Sequence, residues 1–94
     1  MPSLTVSNVR FRSASPEQVG SGLIGFVTIV LADAIEIGGI ALRRTLDGKQ
    51  ALSFPQRTDR HGQPHYVARP INERVHRDLE RQVFDMLAIR EEAS

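Results

Sequence analysis

A chain of 94 residues with 40% hydrophobic and 24% charged residues has the composition of one folded domain, spanning residues 1–94. This excludes a disordered chain and leaves no room for a second domain. The formal net charge is +1, so the total charge by itself predicts no polyanionic partner, and the absence of cysteine excludes disulfides and thiolate chemistry.

Neither a signal peptide nor a membrane span is indicated. The first three residues lack the basic start and apolar segment of a secretory signal. The uncharged run at residues 19–32 is too short for a helix that crosses about 30 Å of hydrocarbon. We therefore expect a soluble, cytoplasmic protein.

The first half of the chain predicts three strands. Residues 5–12 alternate, with Val9 and Phe11 on one face and Arg10 and Arg12 on the other. Residues 13–22 carry Ser-Pro and two glycines and predict a loop. Residues 23–32 predict a strand that is apolar on both faces. Residues 35–45 predict the next strand, and its Gly38-Gly39 pair indicates a bulge or a sharp twist.

The second half predicts a hairpin region followed by a helix. Asp47-Gly48 is typical of a tight turn before a fourth strand at residues 51–54. Residues 58–62 predict another turn, and residues 65–68 a short fifth strand at a sheet edge. Asn72 is a good N-cap for a helix with one buried face. That face is formed by Val75, Leu79, Val83 and Met86, widened by Phe84 and Leu87.

These elements predict an α+β fold. An antiparallel β-sheet of four to five strands should carry a C-terminal α-helix packed on one face. A chain this short buries only about 60–65% of its unfolded surface, so we also expect self-association, in the simplest case as a dimer.

Four segments in this order resemble the stage V sporulation protein G family. They are residues 6–12 with two spaced arginines, residues 25–31, the run Phe54-Pro55-Gln56-Arg57-Thr58, and the run Ala68-Arg69-Pro70-Ile71-Asn72. The resemblance implies a homodimer that binds DNA, and in some members RNA, to regulate transcription. Family members are also linked to sporulation, septation and virulence control.

The chain departs from the family pattern in the hairpin. Gln56 stands where the family usually has the first residue of a Lys-Arg pair, and Arg57 keeps the second. The turn at residues 59–62 replaces a typical Pro-Asp-Gly, and its Arg60 adds a charge near the one missing at Gln56. The loop at residues 13–22 is also longer than usual.

The hairpin is the first candidate nucleic-acid contact. Arginine presents forked donors that match phosphate geometry, and an aromatic ring stacks on bases. We expect Arg57, Arg60 and His61 to contact phosphates and Tyr66 to stack, with Arg69 at the end of the hairpin. The alternative is a solvated turn in which Arg57 or Arg60 pairs with Asp59; the resemblance favours the functional interpretation for Arg57.

Two further groups of arginines could extend the basic surface. Arg74, Arg77 and Arg81 share one helix face, but the pairs Glu73–Arg77, Arg74–Asp78 and Arg81–Asp85 have the spacing of intrahelical ion pairs. Arg10 and Arg12 would lie on the sheet face that the helix leaves open, where solvent-facing charges are also common.

No catalytic or metal-binding pattern stands out. His61 and His65 are four apart, but Gly62 and Pro64 prevent the helix that would bring them together on one metal. We therefore expect a non-enzymatic protein without cofactor or metal, whose partner is nucleic acid, not a membrane or a small-molecule substrate. The alternative is a protein-interaction module that recruits a protein partner through its sheet edge and helix.

Overall fold

The structure, a computed structural model, describes residues 4–19 and 22–93. Strands β1 (Val6–Ser13), β2 (Leu23–Leu31), β3 (Ile35–Arg44) and β4 (Gln50–Ser53) form one antiparallel sheet in that order. Strands β5 (Gln56–Thr58) and β6 (Pro64–Tyr66) form a second, two-stranded sheet. The helices are α1 (Pro16–Val19) and α2 (Glu73–Ala93). The predicted α+β fold with a C-terminal helix is confirmed.

Two details differ from the sequence prediction. The predicted loop at residues 13–22 contains the short helix α1, and residues 20–21 lie outside the described part of the chain. The predicted fifth strand does not extend the main sheet, because it pairs with β5 instead. The hairpin therefore forms a separate two-stranded unit beside the main sheet. None of the helices described is both long and apolar enough to cross a lipid bilayer.

The burial pattern of strand β2 distinguishes the two faces of the sheet. Its alternate residues are buried, and Val27 and Ile29 are 1% and 0% exposed. This face packs against the apolar stripe of α2, where Leu79 and Val83 are 3% and 0% exposed. The helix stripe predicted from the sequence is confirmed. The opposite face, which we call the open face, carries the residues between these, such as Phe26 and Thr28.

The connections within the sheet follow from turn chemistry. The β2–β3 turn places Ala32 and Asp33 at φ values of 52° and 54°, and the Ala34 N–H donates to the Leu31 carbonyl at 2.9 Å. In β3 the pairing shifts between Val27↔Ile40 and Ile29↔Ile37, which confirms the predicted Gly38-Gly39 bulge. Gly48 has a φ of 84° in the predicted tight turn before β4.

Helix α2 begins where the sequence predicts and reaches both edges of the sheet. The Asn72 side chain caps it by accepting the Val75 N–H at 2.9 Å. On β4, the Leu52 N–H donates to Glu80 Oε2 at 2.8 Å. On β1, the Val6 N–H donates to Gln82 Oε1 at 2.8 Å. One helix therefore covers the core face and bonds backbone groups at both edges.

Candidate nucleic-acid interface

The turn of the β5–β6 hairpin is organised by Asp59. Its Oδ1 accepts the backbone N–H of His61 at 2.8 Å and that of Gln63 at 2.9 Å, and its Oδ2 lies 2.8 Å from His65 Nε2. The hydrogen bond from the Gln63 backbone, followed by that from the His65 side chain, lowers the pKa of Asp59 below its ordinary 3.8. The carboxylate is thus hydrogen-bonded both by the turn and by the adjacent strand β6.

This arrangement bears on the ion pair with Asp59 that the sequence left open for Arg57 and Arg60. Arg57 lies opposite His65 in the β5–β6 pairing, and Arg60 lies in the turn. Both residues are exposed. Neither forms an ion pair within 4.0 Å among residues 4–19 and 22–93, so the Asp59 pairing considered for them does not occur. His61 is exposed beside them. The hairpin therefore presents two exposed arginines that form no ion pair with a carboxylate of the described residues.

Behind the hairpin, Tyr66 and Arg69 line a cleft. The Arg69 guanidinium carbon lies 4.8 Å from the centroid of the Tyr66 ring, a cation–π contact. Tyr66 nevertheless stays 47% exposed. We call this space the Tyr66 cleft; its volume is about 670 Å³ and its walls include Ala41, Arg43, Ser53, Gln56, Tyr66 and Arg69. The two predicted site residues are brought together.

The open face of the sheet leads into the Tyr66 cleft. One row of residues crosses this face, because its members lie opposite one another on successive strands. The row consists of Arg12, Phe26, Ala41 and Ser53. The guanidinium carbon of Arg12 lies 5.1 Å from the centroid of the Phe26 ring. The row therefore begins with an arginine on an aromatic ring and ends in the cleft.

Arg10 is less available than Arg12. Its guanidinium hydrogen-bonds the carboxylate of Glu36 across the open face. Both side chains are more than half exposed, so the pair is weak and water can compete with it. Arg10 and Arg12 thus lie on the open face, as the sequence predicts, but only Arg12 points its charge at an aromatic ring.

The helix arginines are partly neutralised. Arg77 Nε lies 3.0 Å from Glu73 Oε1, and Arg81 lies 2.7 Å from Asp78 and 3.8 Å from Asp85. The predicted Arg74–Asp78 pair does not form within 4.0 Å, because Arg81 and Gln82 hold that carboxylate. The hydrogen bond from Arg81 is the main cause of the lowered pKa of Asp78, and the charge of Arg74 adds to it. Arg74 is therefore the least paired of the three.

His65 lies beside a turn and Asp33 lies within one, and neither belongs to a metal site among the described residues. His65 bonds Asp59, and the described residues contain no group of three or more His, Cys, Asp or Glu side chains that could hold a metal ion. Asp33 lies in the β2–β3 turn with a φ of 54°.

Sequence reasoning missed Arg43, Ser53 and Gln56, all of which line the Tyr66 cleft. Arg43 had a signal, because it stands two residues after Ala41 on β3 and therefore shares the open face. Gln56 had one in the family pattern, where its position usually carries a basic residue. Ser53 had none, since its place in the cleft depends on how the hairpin lies relative to β4.

The chain matches no protein-family model, and no curated protein is similar enough to count as a relative. The resemblance to the stage V sporulation protein G family accordingly depends on the four sequence segments and on their order.

Proposed function

We propose that the protein is a non-enzymatic regulator of gene expression that binds DNA or RNA. Its contact surface would comprise the β5–β6 hairpin, the Tyr66 cleft and the open face of the sheet. The observation that supports this best is the engagement of Asp59 within its own turn, which leaves Arg57 and Arg60 unpaired. Unpaired, exposed arginines can release counterions from phosphates at no loss of internal ion pairs.

The remaining candidates contribute unequally to this surface. Arg43, Arg69 and Arg12 lie in or beside the row that ends in the cleft. Arg74 could reach phosphate without breaking an ion pair, whereas Arg77, Arg81 and Arg10 would first lose a carboxylate partner. The resemblance favours a cytoplasmic homodimer, in which two such surfaces would act together.

Fluorescence anisotropy tests the proposal directly. Labelled random-sequence oligonucleotides, single-stranded and duplex, are titrated with protein at low salt, and the titration is repeated at rising salt. We expect binding to both forms, with affinity that falls steeply as salt rises. Lys49→Ala serves as the control for arginine substitutions on the proposed surface, because Lys49 is an exposed cation in the β3–β4 turn, away from the cleft walls. No binding at low salt would reject the proposal.

A protein-interaction module is the second candidate. Val67 and Ile71 are 59% and 88% exposed in the connection between β6 and α2, beside Tyr66. Exposed apolar side chains in one place are typical of a protein contact. The sheet edges favour this candidate less, because α2 already bonds Leu52 and Val6. Loss of partner capture in a Val67→Ser, Ile71→Ser variant that still binds oligonucleotides would support it.

A further inference from the structure

The Tyr66 cleft has the size of a small-molecule site rather than that of a groove for a double helix. Its volume of about 670 Å³ lies within the range of ordinary ligand pockets. Small side chains form part of its floor, since Ala41 and Ser53 stand opposite each other on β3 and β4. A flat group the size of a nucleobase could therefore lie against the sheet.

The ring of Tyr66 is held ready for stacking. The Arg69 guanidinium lies over the ring, with its carbon 4.8 Å from the ring centroid, and 47% of Tyr66 remains exposed. The contact restricts the ring, so less rotational freedom would be lost when a base stacks on it. In a duplex the faces of the bases are covered by their neighbours, whereas an unpaired base offers a free face.

The charges that line the cleft favour an anion. Arg43 and Arg69 form no ion pair within 4.0 Å among the described residues. Glu73 is the only carboxylate among the described lining residues, and it lies 3.0 Å from Arg77. His76 is directed to the Leu52 carbonyl and Glu80. Two unpaired guanidinium groups beside an exposed ring match the chemistry of a base with its adjoining phosphate.

We propose that the Tyr66 cleft binds one unpaired nucleotide of a single-stranded nucleic acid, with its base stacked on Tyr66 and its phosphate held by Arg43 and Arg69. This rests on the proposed function and specifies it: the hairpin arginines hold backbone phosphates of any strand, and the cleft selects strands with unpaired bases. Ser53 and Gln56 supply polar side chains at the edge of the base.

Tyrosine fluorescence can report directly on binding in the cleft. Tyr66 is its single tyrosine and it has no tryptophan, so intrinsic tyrosine fluorescence reports on this ring alone. We expect a single-stranded oligonucleotide to quench this fluorescence saturably, with the same midpoint as its anisotropy titration. A strand of equal length made of abasic sites keeps the phosphates but has no base to stack, and it should bind without quenching. A duplex should bind with little quenching.

Filling the cleft gives the second measurement. Ser53→Ile places a β-branched side chain on the exposed floor of the cleft at a strand position that favours it. We expect the single-strand affinity to fall roughly tenfold, as for loss of one stacked base, and the single-strand to duplex affinity ratio to fall with it. Gln50→Ile is the matched control, because Gln50 is an exposed residue of the same strand outside the cleft.

The outcomes separate this inference from the proposed function. Two results, each obtained with salt-dependent binding intact, would overturn the cleft assignment alone. The first is equal quenching by abasic and normal strands. The second is a Ser53→Ile variant that keeps the single-strand to duplex affinity ratio of the parent. Absence of binding to every oligonucleotide would overturn the proposed function as well. Quenching by a free mononucleotide as strong as that by the oligonucleotide would show a free-nucleotide site and also reject the assignment.

Discussion

The carboxylate of Glu80 accepts the backbone N–H of Leu52 at 2.8 Å, which ties the middle of α2 to the edge strand β4. His76, one turn earlier, lies with Nε2 3.1 Å from the Leu52 carbonyl. Both of these backbone groups of Leu52 are therefore bonded by side chains of the helix. An edge strand whose backbone groups are already bonded offers fewer free N–H and C=O groups to a strand from another molecule.

Glu80→Ala should lower the free energy of unfolding by about 1–2 kcal/mol, because a hydrogen bond to a partly buried carboxylate is lost and an edge N–H is freed. Urea denaturation followed by circular dichroism measures this. Glu73→Ala is the control: Glu73 also pairs within the helix, but its side chain is 74% exposed, so we expect a loss of roughly 0.5 kcal/mol or less. Equal losses in the two variants would contradict a special role for the Leu52 contact.

Arg57→Ala and Arg60→Ala should each reduce the slope of log affinity against log salt by roughly one unit. The melting temperature should stay nearly unchanged, since neither side chain has an ion-pair partner in the described structure. Anisotropy titrations at several salt concentrations give the slope. If both variants bind like the parent, the hairpin is not part of the contact surface.

Within the helix, Arg74→Gln should weaken oligonucleotide binding more than Arg81→Gln. Arg74 is not held by a carboxylate within 4.0 Å in the described residues, whereas Arg81 contacts both Asp78 and Asp85. Stability should follow the opposite order, with a loss of about 0.3–0.5 kcal/mol for Arg81→Gln. Affinity and thermal unfolding are measured on the same preparations. Unchanged affinity in Arg74→Gln would restrict the surface to the hairpin, the cleft and the open face.

The hairpin turn should loosen in acid. Because the pKa of Asp59 is lower in the folded protein than its ordinary 3.8, the stabilisation by this carboxylate is complete above that value. It is lost as the pH falls through the lower, folded-state pKa. The amide resonances of His61 and Gln63, whose N–H groups bond Asp59, should titrate together below pH 3.8 in NMR spectra. Asp59→Asn should abolish this shared titration, and its persistence would assign it to another group.

A homodimer is the expected assembly. Val67 and Ile71 expose apolar surface in one short stretch, and a chain of this length gains much from further burial. Sedimentation equilibrium at micromolar concentration should give about twice the chain mass of 10.5 kDa. A single species at the chain mass would contradict this expectation.

Periodicity predicted most of the fold. The alternation in β2 and the stripe from Val75 to Met86 defined the two layers, and Asn72 marked the start of α2. Strand β5 was missed because Gln56, Arg57 and Thr58 are polar and exposed and so show no alternation. Helix α1 was missed because Ser-Pro is also typical of loops.

For the candidate site, the sequence indicated residue types but not their arrangement. Arg57 and Tyr66 were singled out by chemistry and Arg69 by the resemblance, but local spacing could not show that Asp59 would bond its own turn rather than an arginine. The contacts of α2 with the sheet edges join residues up to 78 positions apart, as in Gln82 with Leu4. Such separations leave no periodic signal in a single sequence.

The position of α2 along the chain has a consequence for folding. Ribosomes make all four strands of the sheet before the helix that bonds Val6 and Leu52. Until that helix emerges, the nascent sheet has an uncovered apolar face and two unbonded edges. During synthesis the chain is therefore prone to aggregate until its last quarter, which contains α2, has been made. A stalled or shortened product that lacks α2 would stay prone to aggregate.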